Sequence, residues 1–316
     1  MFTEELARPA AIPGASDSPG PAVVFSIDDI HPSGSSQGIE AGGDLERGVL
    51  GRVRSLLHAH PRLRVTLFVT ADWRAWTSFP TRRALARLPL VRERVYLCRR
   101  LAAGTMRLDR HPEFCRFLLA LPRTEVAAHG LDHVGLGPEP AREFARKRGQ
   151  RLERDLDRME EIFAAAGFGR PAGIAPPGWA VPPALLDELE RRGFRYVQGG
   201  RDLETPVAPG ATGRGSGLAG LPLFAPARLP GRRLVHVPSN WSATSDRNRC
   251  RRVLDSGGLL SIKAHAIKQG RGHVALDGLD EAYRARLDGL FGMVEAEYGR
   301  DVRWLTMAEA AGGERR

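Results

Sequence analysis

The chain has 316 residues, 42% of them hydrophobic and 27% charged, which supplies an apolar core and excludes the disordered and fibrous classes. Its formal net charge of +10 raises the question of a polyanion. However, only Lys147, Lys263 and Lys268 are lysines, and the arginines are mixed with acids, as in Arg151 to Glu161. No basic stripe with interleaved aromatics, of the kind that binds single-stranded nucleic acid, is present.

No apolar run approaches the ~20 residues that span a bilayer. Met1 to Gly20 lacks the basic start and apolar core of a signal peptide, and its Ala, Pro, Gly and Ser content marks a flexible arm. Cys98, Cys115 and Cys250 are odd in number and widely spaced, so they make neither a disulfide framework nor a Cys-x-x-Cys site. These features predict a cytoplasmic protein with reduced thiols, no nucleic-acid partner and no membrane partner; an anionic small substrate stays compatible with the charge.

Taken in order, the apolar run Ala22 to Ile27 predicts a buried strand that ends in Asp28-Asp29-Ile30-His31. A Gly/Ser-rich loop, Ser33 to Asp44, precedes a helix near Leu45 to His58, and Arg64 to Val69 is a second strand with β-branched and aromatic residues. Residues 71–122, punctuated by Pro80, Pro89, Pro112 and Pro122, predict short helices inserted beside a site rather than a separate domain. Glu125 to Ala128 is a third strand. A long amphipathic helix follows over about Pro140 to Ala166, with Phe144, Leu152, Leu156, Met159, Ile162 and Phe163 on one face and Gly167 as the stop.

Ala172 to Ala175 predicts a fourth strand, Pro183 to Arg192 a helix and Phe194 to Val197 a fifth strand. Residues 199–232 are Gly/Pro-rich loop. Leu234 to Val237, Leu259 to Ala264 and Val302 to Leu305 are further strands, with a helix over Leu279 to Tyr298. Alternation of strands and helices implies parallel pairing. About seven or eight such units over residues 21–312 predict one distorted (β/α) TIM-like barrel, whose functional groups gather at the carboxyl ends of the strands.

Four groups stand at such ends. Asp28 and Asp29 are adjacent carboxylates whose burial has to be offset by a cation. His129 and His133, four apart, can reach one ion, and with Asp29 they make two imidazoles and a carboxylate that leave metal positions open. Gly130 stands where a His-Glu-x-x-His protease has its glutamate. Pro176-Pro177-Gly178-Trp179 is a stiff turn whose glycine admits a ligand close to the main chain. Lys263 and His265, two apart on one strand, share a face, and Asp28 is the natural partner of a lysine aimed into a barrel.

This order of motifs resembles the polysaccharide deacetylase superfamily, the nodulation-protein-B homology domain of carbohydrate esterase family 4, in a divergent branch; the likeness covers roughly Pro21 to Ala310. The resemblance implies removal of an N-acetyl group from an amino sugar by a metal-dependent amide hydrolase. It implies one divalent ion, zinc first and iron, cobalt, nickel or manganese otherwise, on Asp29, His129 and His133. It also implies Asp28 as general base, His265 as general acid, and a main-chain N–H near Gly178 or Trp179 for the oxyanion.

Two departures stand out. Ala175 occupies the place of the family's third-motif arginine, and Lys263 is expected to orient Asp28 instead. Ser239-Asn240-Trp241 stands where an acid is expected around the sixth strand, so Asn240 and Trp241 join Pro177, Gly178 and Trp179 as expected substrate or oxyanion contacts. With no export signal, the expected substrate is a small acetamido sugar or sugar-containing metabolite. An O-acetyl esterase on the same site and an inactive carbohydrate- or partner-binding barrel are the alternatives.

Overall fold

The computed structural model describes residues 20–312 apart from 35–40, 77–79, 140, 209, 216–217, 267–268 and 271–272, so the expected arm lies, save for Gly20, outside the described residues. In chain order, β1 (Ala22–Ile30) leads through α1 (Val49–Ala59) to β2 (Val65–Val69). The short helices α2 (Arg83–Ala86), α3 (Pro89–Arg92) and α4 (Pro112–Ala120) precede β3 (Thr124–Ala128). Then come α5 (Gly149–Ala165), β4 (Gly173–Ile174), α6 (Pro183–Arg191), β5 (Tyr196–Val197), β6 (Ala227–Arg228), β7 (Val235–His236), α7 (Arg247–Asp255) and β8 (Leu259–His265). A hairpin, β9 (Gln269–Gly270) and β10 (His273–Val274), is followed by α8 (Glu281–Tyr298), β11 (Arg303–Leu305) and α9 (Met307–Ala310).

β1, β2, β3, β4, β5 and β7 pair in parallel in that order, and β8 pairs in parallel along β1, Ala22 opposite Leu259 through Asp28 opposite His265. The ring closes just past β7. Trp241 bridges Ile262 in parallel, its N–H donating to Ser261 O at 3.0 Å and its carbonyl accepting from Lys263 N at 2.9 Å. The result is a distorted (β/α) barrel with seven parallel strands in the ring. β11 adds to the start of β1, and β6 folds back antiparallel on β7.

Period-two alternation along β1 divides the core. Val23, Phe25 and Ile27 face the helices, where Phe25 meets Phe291 of α8 edge-on at 5.5 Å. Ala22 and Val24 face the lumen with Phe68, Ala127, Tyr196, Leu259 and Met307. α9 stoppers the amino end of the lumen. Its Thr306–Glu309 capping box fixes the helix start, and half-buried Glu125 accepts from Ala308 N (3.0 Å), Tyr196 Oη (2.9 Å) and Thr66 Oγ1 (3.1 Å).

Three helices differ from the sequence reading, β6 forms within residues 199–232 read as loop, and the β9–β10 hairpin is an addition to it. The long helix begins at Gly149, not near Pro140, because residues 141–148 form turns that place Glu143 and Lys147 under the His129–His133 loop. α7 was hidden by its four arginines in a stretch of nine residues and is capped by Asp246, whose carboxylate accepts from Arg249 N at 2.6 Å. α9 follows the last strand without the length or periodicity of a recognisable helix.

Asn240 latches the barrel seam. Its side chain donates to Leu223 O (3.0 Å) and Leu259 O (2.8 Å) and accepts from Ser261 N (2.9 Å), while Arg249 holds its carbonyl at 2.7 Å. Each buried group orphaned by removal of a partner costs about 1–3 kcal/mol. Asn240→Ala should therefore lower unfolding stability by about 2–5 kcal/mol, read from the urea midpoint by tryptophan fluorescence; a loss below about 0.5 kcal/mol, typical of a neutral surface position, would remove the latch.

Candidate active site

A regular strand sends neighbouring side chains to opposite faces, so Asp28 and Asp29 could not both serve one site. β1 breaks that rule. Its pairing with β2 slips between Ile27 and Ile30, and Asp29 adopts φ 64°, a left-handed conformation that costs a non-glycine residue about 1–3 kcal/mol. His31 holds the turn. Its Nδ1 donates to Asp29 O at 2.7 Å, and its buried ring stacks flat on Trp73 at 4.0 Å. Burial pushes the His31 imidazole down to about 3, so it is neutral. His133 and Trp179 also have positive φ, 56° and 52°; five non-glycine residues do so among those described, and three of them meet here.

Asp29, His129 and His133 converge. Asp29 Oδ1 lies 3.0 Å from His129 Nε2 and 3.1 Å from His133 Nε2, and all three donor atoms lie within 4.8 Å of one another. His129 Nδ1 donates to Ala175 O at 2.7 Å, which leaves Nε2 as the lone-pair nitrogen turned to Asp29. Burial raises the Asp29 carboxyl, but the two imidazoles set against it prevail and hold it well below the usual carboxylate range. Burial likewise lowers His133, and Asp29 reverses this, leaving it raised.

The His129–His133 loop is shaped by Glu143. Its carboxylate accepts from the N–H groups of Leu131 (3.1 Å), Asp132 (3.2 Å) and His133 (2.9 Å). Lys147 neutralises it at 3.0 Å and also reaches Asp155 at 2.7 Å. Gly130, at φ 78°, gives the carboxylate room; a Cβ there would sit 2.4 Å from Glu143 Oε2.

Opposite this loop, Lys263 is fully buried and donates to Asp28 Oδ2 at 2.6 Å and Gln198 Oε1 at 2.7 Å. Burial lowers the lysine, against the pull of Asp28. Asp28 Oδ1 is buried and has no hydrogen-bond partner among the described residues. On the neighbouring strand, His265 Nδ1 lies 3.1 Å from Asp277 Oδ1, and Asp277 Oδ2 lies 2.8 Å from Arg201. Burial works to lower His265, and Asp277 more than offsets it, so the imidazole is raised. Asp277, raised by burial but held between His265 and Arg201, falls to about 2. The Trp179 ring closes the wall, edge-on to His265 at 5.8 Å and 5.4 Å from Lys263 Nζ.

Scans of the sequence against protein-family models and against curated proteins return no match. Among solved structures, a candidate polysaccharide deacetylase from Mycobacterium smegmatis aligns over 97% of this chain and 93% of its own, with TM-score 0.56 and 16% identity. The chain has the polysaccharide deacetylase fold. Puue allantoinase aligns over 93% of this chain and 89% of its own, with TM-score 0.52 and 13% identity. A 4-alpha-glucanotransferase from Thermococcus litoralis covers 92% of this chain but 39% of its own, with TM-score 0.51 and 12% identity. Identities this low carry the path of the chain. Chemistry has to be read from this chain's own side chains.

Within the deacetylase fold, Asp28, Asp29, His129, His133, Lys263, His265 and Trp179 gather at the carboxyl ends of their strands. The donor set, two imidazoles and one carboxylate with an orphaned carboxylate oxygen alongside, fits a divalent transition ion such as zinc. Other expectations need correction. Asn240 and Trp241 do not offer side chains to a substrate: Asn240 is spent on the seam, and Trp241, 1% exposed, donates its Nε1 to Asp246 O at 3.0 Å. The Trp179 N–H donates to Pro176 O at 2.8 Å and Pro177 has none, which leaves Gly178 as the main-chain donor of that turn.

Glu143, Gln198, Arg201 and Asp277 escaped the sequence reading. Each lies far along the chain from its partner or among many similar charges, and only the fold brings them in. Outer-shell partners of metal ligands typically matter 10–100-fold. Glu143→Ala should accordingly weaken divalent-ion affinity by about 10–100-fold in competition with a chromophoric chelator, and Glu143→Gln, which keeps an acceptor, by less. Equal affinity in all three proteins would show that the loop holds His133 without Glu143.

Proposed function

We propose that the protein is a metal-dependent N-deacetylase that hydrolyses the acetamido group of an amino sugar or a sugar-containing metabolite. The observation that carries this reading is the meeting, at one end of the lumen, of the Asp29–His129–His133 group with an Asp28–Lys263 pair and a His265–Asp277 pair. Asp28 and His265 are direct neighbours across β1 and β8. A divalent ion held by Asp29, His129 and His133 would lower the pKa of a water molecule and draw charge from the acyl oxygen.

The chain's own groups supply the proton traffic. Amide hydrolysis forms a bond from water oxygen to the acyl carbon, breaks the carbon–nitrogen bond, and moves a proton to the departing nitrogen. Asp28 Oδ1, without another partner, is the base that takes the water's proton, while Lys263 holds Oδ2 and fixes the plane of the carboxylate. His265 as imidazolium protonates the leaving nitrogen. Asp277, 3.1 Å from the ring and paired in turn with Arg201, favours that charged form. Lys263 thus stands in for the arginine of the resemblance, and Asp277 for its missing acid. Gly178 N–H is the main-chain candidate for the oxyanion.

Acetate release from a panel of N-acetylated and O-acetylated sugars, loaded with zinc, tests the reading. Asp28→Asn and His265→Ala should each lower turnover by about 10²–10⁴-fold, with metal content unchanged. Release from O-acetyl sugars alone would reassign the site to an esterase, and no release from either would leave a binding barrel. Because the working form of His265 is protonated and its pKa is raised, activity should fall as pH climbs through that raised value. Asp277→Asn removes the cause of the rise, so the alkaline limb should move to lower pH; an unmoved limb would take His265 out of the acid role.

A further inference from the structure

Residues 83–94, formed by α2, α3 and their turns, leave apolar side chains in water. Leu88 is 50% exposed, Leu90 79% and Val91 36%, and neither helix contains a buried residue. Single exposed leucines are ordinary on a folded surface, but three within four positions form a patch. Around them stand Arg82, Arg83, Arg87, Arg92 and Arg94, all exposed.

Between 82 and 100 the chain has seven arginines and one acid, Glu93, so this stretch supplies more than half of the net charge of +10. Glu93 is shared by Arg92, at 3.0 Å, and Arg146. Arg83, Arg87 and Arg94 pair with no acid among the described residues.

The stretch is fixed at the site's end of the barrel. It leaves from the carboxyl end of β2, and its far side binds the loop that carries His133: Gly137 N donates to Val95 O at 3.1 Å, and Arg74 N donates to Asp132 O at 3.0 Å while Arg74 O accepts from Leu101 N at 2.9 Å.

We infer that residues 83–94 seat the protein on an anionic lipid surface, with Leu88, Leu90 and Val91 entering the interface and the arginines meeting headgroup phosphates. Apolar side chains beside cations that stay at headgroup level are the makings of a peripheral membrane contact. A nucleic acid would engage the arginines and leave the leucines in water. A second copy of this chain would cover the leucines but bring like charges together.

Such a contact needs no spanning helix, and no helix among the described residues is long and apolar enough to cross a membrane. This inference departs from the expectation of no membrane partner. The consequence for chemistry rests on the deacetylase reading: the substrate would be an acetamido sugar carried on a lipid and presented to the site from that surface.

Flotation of the full chain with phosphatidylcholine vesicles, with and without phosphatidylglycerol, tests this. Recovery with the anionic vesicles, reversed by salt, is expected. One arginine near an anionic surface is worth about fivefold in partitioning, so the triple variant Arg83→Glu, Arg87→Glu, Arg94→Glu should lose at least about a hundredfold. Leu90→Asp should also release the protein, and both variants should melt like the parent and keep acetate release from soluble sugars.

Equal recovery with neutral and anionic vesicles, or none with either, overturns the inference. So does retention on nucleic acid in place of vesicles, or a Leu90→Asp change that splits a dimer without altering flotation. Vesicle binding without acetate release from any sugar would strike the functional reading and leave the surface standing.

Discussion

The site depends on one backbone angle. With Asp29 held at φ 64°, β1 delivers two successive carboxylates to the same rim, where an unbroken strand would bury one against the helices. Asp28 remains in strand register opposite His265, and Asp29 turns to meet His129 and His133. One residue of strain thus separates the carboxylate beside Lys263 and His265 from the one that meets His129 and His133, while keeping them adjacent. The flat stack of His31 on Trp73, and the hydrogen bond from His31 to Asp29 O, are what hold that conformation against its cost.

Around this turn the molecule buries charge in pairs. Lys263 with Asp28 and Lys147 with Glu143 are buried, and half-buried Arg201 lies against buried Asp277; each places a cation beside an acid that touches the site or its loop. A buried pair of this kind stabilises little beyond what an apolar pair would, but loss of one partner costs about 3–5 kcal/mol. Their value here is positional. Glu143 orders three consecutive N–H groups, Lys263 fixes one carboxylate oxygen and leaves the other, and Asp277 beside Arg201 favours the charged form of His265.

Much of this was legible in the sequence because burial leaves a strong signal. The strands β1, β3 and β8 lead into Asp28-Asp29, His129-x-x-x-His133 and Lys263-x-His265, and parallel pairing sends all such ends to one side. Period two puts Lys263 on the face of His265, and the need of a buried lysine for an acid points to Asp28. The left-handed turn did not, since nothing in Asp-Asp-Ile-His distinguishes it from a regular strand end.

Asp277 lies past the described hairpin and carries no spacing signal, so nothing in the sequence marks it as the neighbour of His265. Asn240 and Trp241 occupied the expected place for a functional motif, but the seam of the barrel had claimed them. The start of α5 was misread because Phe144 is buried without being helical, in the turn that delivers Glu143.

Anomalous diffraction from crystals grown with zinc tests the central claim most directly. The account predicts one ion per chain, within bonding distance of Asp29 Oδ1 and the Nε2 atoms of His129 and His133, with Asp28 beside it but not coordinating. An ion bound elsewhere, or none at these three atoms under saturating zinc, would contradict it.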